Sequence, residues 1–238
     1  MAEGTTDDRA ATAIAAYGEM RAALIADLAA TDDDVAAATI VPACPDWTVT
    51  GTVAHLAGVC IDIVEGNLDG VGTAPWADGH VARHAPLGLA ALLERWAETA
   101  PVIDSLGAAI PAAPAMQLCF DGTTHAHDVR GALDLPGDRD GAGVLVGLDF
   151  LALGLDRLVR TRDLPPLALD SPTWHHRTGE STDGGARVEA STFELFRGFG
   201  GRRSLDQLRA LTWTGDPEPY LGFFDGSPLT PPTEAIEE

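Results

Sequence analysis

Apolar residues recur at three- and four-residue steps over 8–28, at Ile14, Tyr17, Met20, Leu24 and Leu28, without a proline and with one glycine. That spacing predicts a first amphipathic helix, stopping at the acidic run 31–34. A loop over 39–47 follows, with Pro42, Pro45 and a Trp47 that reads as a core plug. Thr48 or Thr50 then caps a second helix carrying Val53, Leu56, Cys60, Ile63 and Leu68. Residues 69–85, rich in Gly, Asp, Pro and His, read as a long loop of the kind that carries function. A third helix is predicted over 87–106, kinked or ended early by Pro101, and 108–114 breaks the chain. A fourth helix spans 116–133 and a fifth 141–162, with Leu145, Leu148, Leu151 and Leu155 facing inward. Gly122 inside the fourth costs about 1 kcal/mol against Ala, which implies close approach of a neighbouring helix or a ligand.

At Asp163 the texture changes. Short runs of β character over 167–169, 173–177 and 186–190 surround a turn from Gly179 to Gly185. Two helices follow, introduced by Ser191 with Glu194 and by Ser204 with Gln207, both at capping-box spacing. Trp213, Tyr220, Phe223 and Phe224 come late, and the acidic, proline-rich tail after Ser227 reads as loose. The fold class is therefore mainly α: an up-down helical bundle over 1–163 and a small α+β domain over 164–238.

The 36 acidic and 15 basic residues leave a net charge of −21, and every base is Arg. Such a surface repels nucleic acid and anionic lipid. With 45% hydrophobic residues the composition is that of an ordinary globular protein. Cys44, Cys60 and Cys119 form no CxxC pair, which argues against a disulfide framework or a thiolate zinc site. No apolar run reaches the ~18 residues a bilayer span needs, and acids stand where a signal peptide would be positive. The cytoplasm is the expected location.

The chemistry concentrates in 121–133. On a helix, Asp121 and His125 share one face one turn apart, a two-ligand claw for Zn²⁺, Fe²⁺, Ni²⁺ or Mn²⁺ that needs a third ligand from elsewhere. His55 is the candidate. A lone histidine is more often a satisfied or solvent-facing side chain, and only the grouping favours metal. His127 points roughly 200 degrees from His125 and reads as a surface or interface residue. Asp128 either orients a ligating imidazole or pairs with an arginine such as Arg130. His175 and His176 fall on opposite faces of a strand. His80 and His84 belong to the long loop and are not expected at the site, and Cys60 reads as a small buried hydrophobe.

Three blocks carry a resemblance. Cys44-Pro-Asp-Trp47-Thr-Val49 with His55, then Asp121, His125 and Asp128-Val-Arg130-Gly-Ala-Leu133, then Phe193 to Arg197, Gly201-Arg202-Arg203-Ser204, Gln207, Trp213 to Pro217 and Tyr220-Leu221 together resemble the mycothiol-dependent maleylpyruvate isomerase family. The resemblance implies a DinB-like bundle holding a divalent metal, with a smaller C-terminal domain closing over it. It places the metal on His55, Asp121 and His125, with zinc the leading ion. The family's usual acid is Glu, so the shorter Asp121 means either closer helices or an ion reached through water. Mycothiol is the implied cofactor: metal makes its thiol nucleophilic, and addition, bond rotation and elimination convert cis to trans. Its carboxylate calls for a cation, and Arg202 and Arg203 are the candidates for both cofactor binding and catalysis.

These readings point to a metal- and thiol-dependent isomerase or S-transferase acting on a small electrophilic metabolite. The expected partners are that thiol and that substrate, with no nucleic acid or membrane, in a monomer or homodimer. The alternatives are a DinB-like binding protein without chemistry and a thiol-independent metal hydrolase or lyase.

Overall fold

Helix α1 (Thr6–Leu28) buries Ile14, Tyr17, Leu24 and Leu28 along one stripe and packs against α7 (Ala112–Ala132). Gly122 is what lets the two helices meet. A Cβ there would lie 2.6 Å from Met20 Cε and 2.7 Å from Tyr17 Cε2, so the neighbour that this glycine admits is a helix. Tyr17 is fixed in turn: its hydroxyl accepts from the Trp96 indole at 3.0 Å and lies 2.8 Å from Cys60 Sγ. Burial raises the pKa of both the Tyr17 hydroxyl and the Cys60 thiol, which keeps them protonated.

The computed structural model describes residues 6–179, 185–227 and 229–237. The chain parts into two compact units, Met1–Gly137 and Asp138–Glu238. In the first, α3 (Val49–Glu65) packs on α5 (Leu89–Glu98) and α7. Thr48 is its cap, accepting from the Gly51 N–H at 3.1 Å.

Several elements differ from expectation for local reasons. The acidic run is the start of a short helix α2 (Asp33–Ala38), because Asp32 caps it by accepting from the Asp34 and Val35 N–H groups. The loop before α3 contains a ribbon of β1 (Ile40–Val41) and β2 (Cys44–Thr48). The long loop is mostly a helix, α4 (Ala74–His84), with Pro75 in its first turn, where a missing N–H has no helical partner to lose. The third predicted helix divides at Thr99 into α5 and α6 (Ala100–Ser105), Pro101 again opening the second piece. Pro114 does the same inside α7, which begins at Ala112 rather than after the predicted breaker.

In the second unit, α8 (Ala142–Thr161) buries Leu148, Leu151 and Leu155 and packs with α9 (Thr192–Arg197) and α11 (Glu218–Leu221). The texture change at Asp163 thus falls within this unit, and the helix before it groups with the C-terminal elements. A four-stranded sheet follows in the order β4 (His175–Arg177), β3 (Leu167–Asp170), β5 (Ala186–Glu189), β6 (Thr212–Thr214), with β3 and β5 parallel and the outer pairs antiparallel. Residues 180–184 of the turn read between Gly179 and Gly185 lie outside the described residues.

His175 and His176 take opposite faces of β4, His175 meeting Asp170 at 3.0 Å and His176 meeting Asp156 of α8 at 3.2 Å. Ser204 and Gln207 form the full capping box of α10 (Leu205–Arg209). Gln207 also ties down the tail, donating to the Ile236 carbonyl at 3.2 Å and accepting from its N–H at 3.3 Å. The tail is therefore anchored where looseness was expected. The architecture is a mainly helical bundle with a small α+β unit.

Candidate metal centre

The stripe His55, Gly58, Asp62 runs down α3 at steps of three and four, and Asp121 with His125 forms a second stripe on α7. The two meet. Asp121 Oδ2 lies 3.3 Å from His55 Nε2 and Asp121 Oδ1 lies 3.8 Å from His125 Nε2. The ligand atoms of all three fall within 4.8 Å of one another. Tetrahedral zinc with bonds of about 2.1 Å sets its ligand atoms about 3.4 Å apart, so this spacing fits a single ion. The short Asp121 side chain thus comes within 3.3 Å of one candidate imidazole and 3.8 Å of the other. Both imidazoles are buried and the Asp121 side chain is partly exposed, which leaves the group one open side.

Asp128 takes the orienting position: its Oδ2 is 3.0 Å from His125 Nδ1. With that carboxylate accepting from the Nδ1–H, the His125 lone pair resides on Nε2, facing Asp121. The arginine of the alternative pairing, Arg130, meets Asp27 of α1 at 2.7 Å. Cys44 Sγ sits 3.8 Å from His125 Nδ1 and 3.7 Å from Asp128 Oδ2. Cys44, His125 and Asp128 make a second group of metal-competent atoms among the described residues. It shares His125 with the first and would use the nitrogen that Asp128 already holds.

Trp47 is half-buried rather than a core plug. Its ring leans on both candidate ligands, 5.1 Å from the His55 ring and 5.8 Å from the His125 ring, and walls the site. β2 and the Thr48 cap put it there. His127 is buried as well, packed beside Gly137 where a Cβ would meet its ring at 2.7 Å. Of the surface or interface placement expected for it, exposure at the surface does not hold, because the far face of α7 is also covered.

His80 was not expected here and is part of the site. It is fully buried on α4, its Nδ1 3.2 Å from His55 Nδ1 and its Nε2 2.9 Å from Asp62 Oδ2. Arg83 donates to the same Asp62 oxygen at 2.7 Å. Burial lowers the His80 pKa to about 4 against the opposing pull of Asp62, so the ring is neutral at neutral pH. Burial alone would raise the Asp62 carboxyl; hydrogen bonds from His80 and Asn67 and the Arg83 charge outweigh it and hold the group below its ordinary range. The available signal for His80 was Thr73-Ala-Pro75, a helix start inside the presumed loop.

In the second unit, Arg203 is buried and forks onto Glu194 at 2.9 and 2.8 Å. Arg202 is partly exposed and donates to the Gly200 carbonyl at 3.4 Å. Both follow Gly201, whose φ of 75° ends the helical turn that leads to them.

The mycothiol maleylpyruvate isomerase N-terminal domain family matches residues 17–133, which include all three candidate ligands. Residues 17–133 belong to that family. Two solved structures are similar over 87% of this chain and 94% of theirs, each at 16% identity. One is the mycothiol-dependent maleylpyruvate isomerase, with a TM-score of 0.53. The other is a histidine-to-alanine mutant of the same enzyme, with a TM-score of 0.55. They establish a shared fold for the family domain and the elements after it. No curated protein sequence matches. No helix among the described residues is long and apolar enough to cross a membrane.

Proposed function

We propose that this protein is a metal- and thiol-dependent enzyme, an isomerase or S-transferase acting on a small electrophilic metabolite with mycothiol as cofactor. The observation that carries the reading is the convergence of His55, Asp121 and His125 at metal-ligand spacing within the family-matched segment. These three residues would hold a divalent ion, zinc first by the nature of the donors. When bound, the ion supplies the Lewis acidity that makes a thiol nucleophilic, and the thiol supplies reversible addition to an activated double bond.

The chain's own residues set the conditions. Asp128 fixes the face that His125 presents, Trp47 keeps water off one side, and the partly exposed Asp121 leaves a side open to ligand. Arg202 and Arg203 are the proposed contacts for the cofactor carboxylate. Arg203 reaches that role only by sharing or leaving Glu194. A cytoplasmic location, where small thiols stay reduced, accords with this chemistry.

The test is cis-to-trans conversion of maleylpyruvate and related activated alkenes by zinc-loaded protein with and without mycothiol. Turnover that requires the thiol and falls at least about 100-fold in His55→Ala, the order of a lost catalytic group, is expected. Metal-loaded protein that activates no small thiol, or turnover indifferent to added thiol, would overturn the reading.

A further inference from the structure

The contacts beyond His55 form one ordered chain: Arg83 to Asp62 at 2.7 Å, Asp62 to His80 Nε2 at 2.9 Å, His80 Nδ1 to His55 Nδ1 at 3.2 Å. A carboxylate only accepts, so His80 Nε2–H donates to Asp62. A neutral imidazole with its proton on Nε2 has a bare Nδ1, and the remaining contact is made by His55 Nδ1–H donating to it. The His55 lone pair is then on Nε2, the atom 3.3 Å from Asp121.

We infer that Asp62, acting through His80, is a positioning residue that holds His55 as its Nδ1–H tautomer with Nε2 turned toward Asp121 and His125. This rests on the metal reading above for its purpose, though not for its geometry. A second observation shows that the place for His80 is built. Gly58 lies on the same stripe of α3 as His55 and Asp62, and a Cβ there would meet the His80 ring at 2.6 Å. Trp76 closes the other side, edge-on with ring centroids 4.2 Å apart. The ring thus lies in a slot cut by a glycine, between an acceptor and the candidate ligand. Its role parallels that of Asp128 toward His125, so each imidazole has a carboxylate behind it, one directly and one through a second histidine.

The experiment uses full-length protein labelled with nitrogen-15 at histidine. In metal-free protein, two-bond proton–nitrogen correlations are expected to give His80 as the Nε2–H tautomer. In zinc-loaded protein, His55 should show a protected Nδ1 proton that disappears in Asp62→Leu. Zinc affinity by chelator competition should weaken by about 10–100-fold in Asp62→Leu and in Gly58→Ala, the range for lost outer-layer support of a ligand. Asp62→Asn, which keeps an acceptor, should retain most of it. Gly58→Ala leaves every polar group in place, so its effect reports the position of His80 and not the loss of a charge.

His80 with its proton on Nδ1 would overturn the inference, as would zinc affinity in both Asp62→Leu and Gly58→Ala within about threefold of wild type, well inside the expected range. If folded wild type binds no zinc, the metal reading fails, and the tautomers, read without metal, decide the chain by themselves.

Discussion

Each of the three thiols has a different environment, and the difference is measurable. Burial pushes Cys119 up to about 12 and raises Cys60, whereas Cys44 is only half-buried beside His125. Since the thiolate is the reactive form, a disulfide reagent should label one thiol in native protein, Cys44, and all three after unfolding. Prompt native labelling of Cys60 or Cys119 would contradict the packing. His84 makes a second residue-scale prediction. It is buried with Nε2 unpartnered, and burial first, then the Arg83 and Arg95 charges, lower its pKa. A histidine depressed on folding contributes stability that is complete above its unfolded value of about 6.5 and is lost as pH falls through the folded value. The melting temperature of metal-free protein should therefore drop on acidification below that point, and His84→Leu should make the drop shallower. Asp62 and Glu65 pull the other way and limit its size.

Among elements, the contact of α1 with α7 is the most sharply testable. Alanine favours a helix over glycine by ~1 kcal/mol, yet a Cβ at Gly122 meets a Tyr17 ring that Trp96 and Cys60 hold still. Gly122→Ala should thus destabilise by about 1–3 kcal/mol, the cost of overpacking, in denaturant unfolding; a gain in stability would refute the close approach. The long helices were legible because their buried faces repeat every three or four residues, and Asp121 with His125 was legible because that step is itself a ligand spacing. Helix α4 was hidden: its Gly79, Pro75 and two histidines read as loop, and only Pro75 marked its start. His80 was hidden with it, since its meeting with His55 depends on Gly58 leaving room in another helix. The burial of His127 and the half-burial of Trp47 were not legible for a related reason, as periodicity gives a residue's direction and not what covers it.

On the scale of the molecule, charge dominates. A net charge of −21 repels itself in the compact state, so raising salt from low levels to about 0.15 M, where screening acts over about 8 Å, should raise the melting temperature. A fall would mean that specific ion pairs such as Arg209–Glu218 outweigh the repulsion. The account as a whole stands on one site, and zinc binding tests it most directly. Titrated into metal-free protein, zinc should bind wild type at about one equivalent, with tetrahedral donors from two histidines and a carboxylate. His55→Ala and Asp121→Ala should both lose it while remaining folded. A wild type that binds no zinc, or variants that bind it as wild type does, would contradict the assignment of this site.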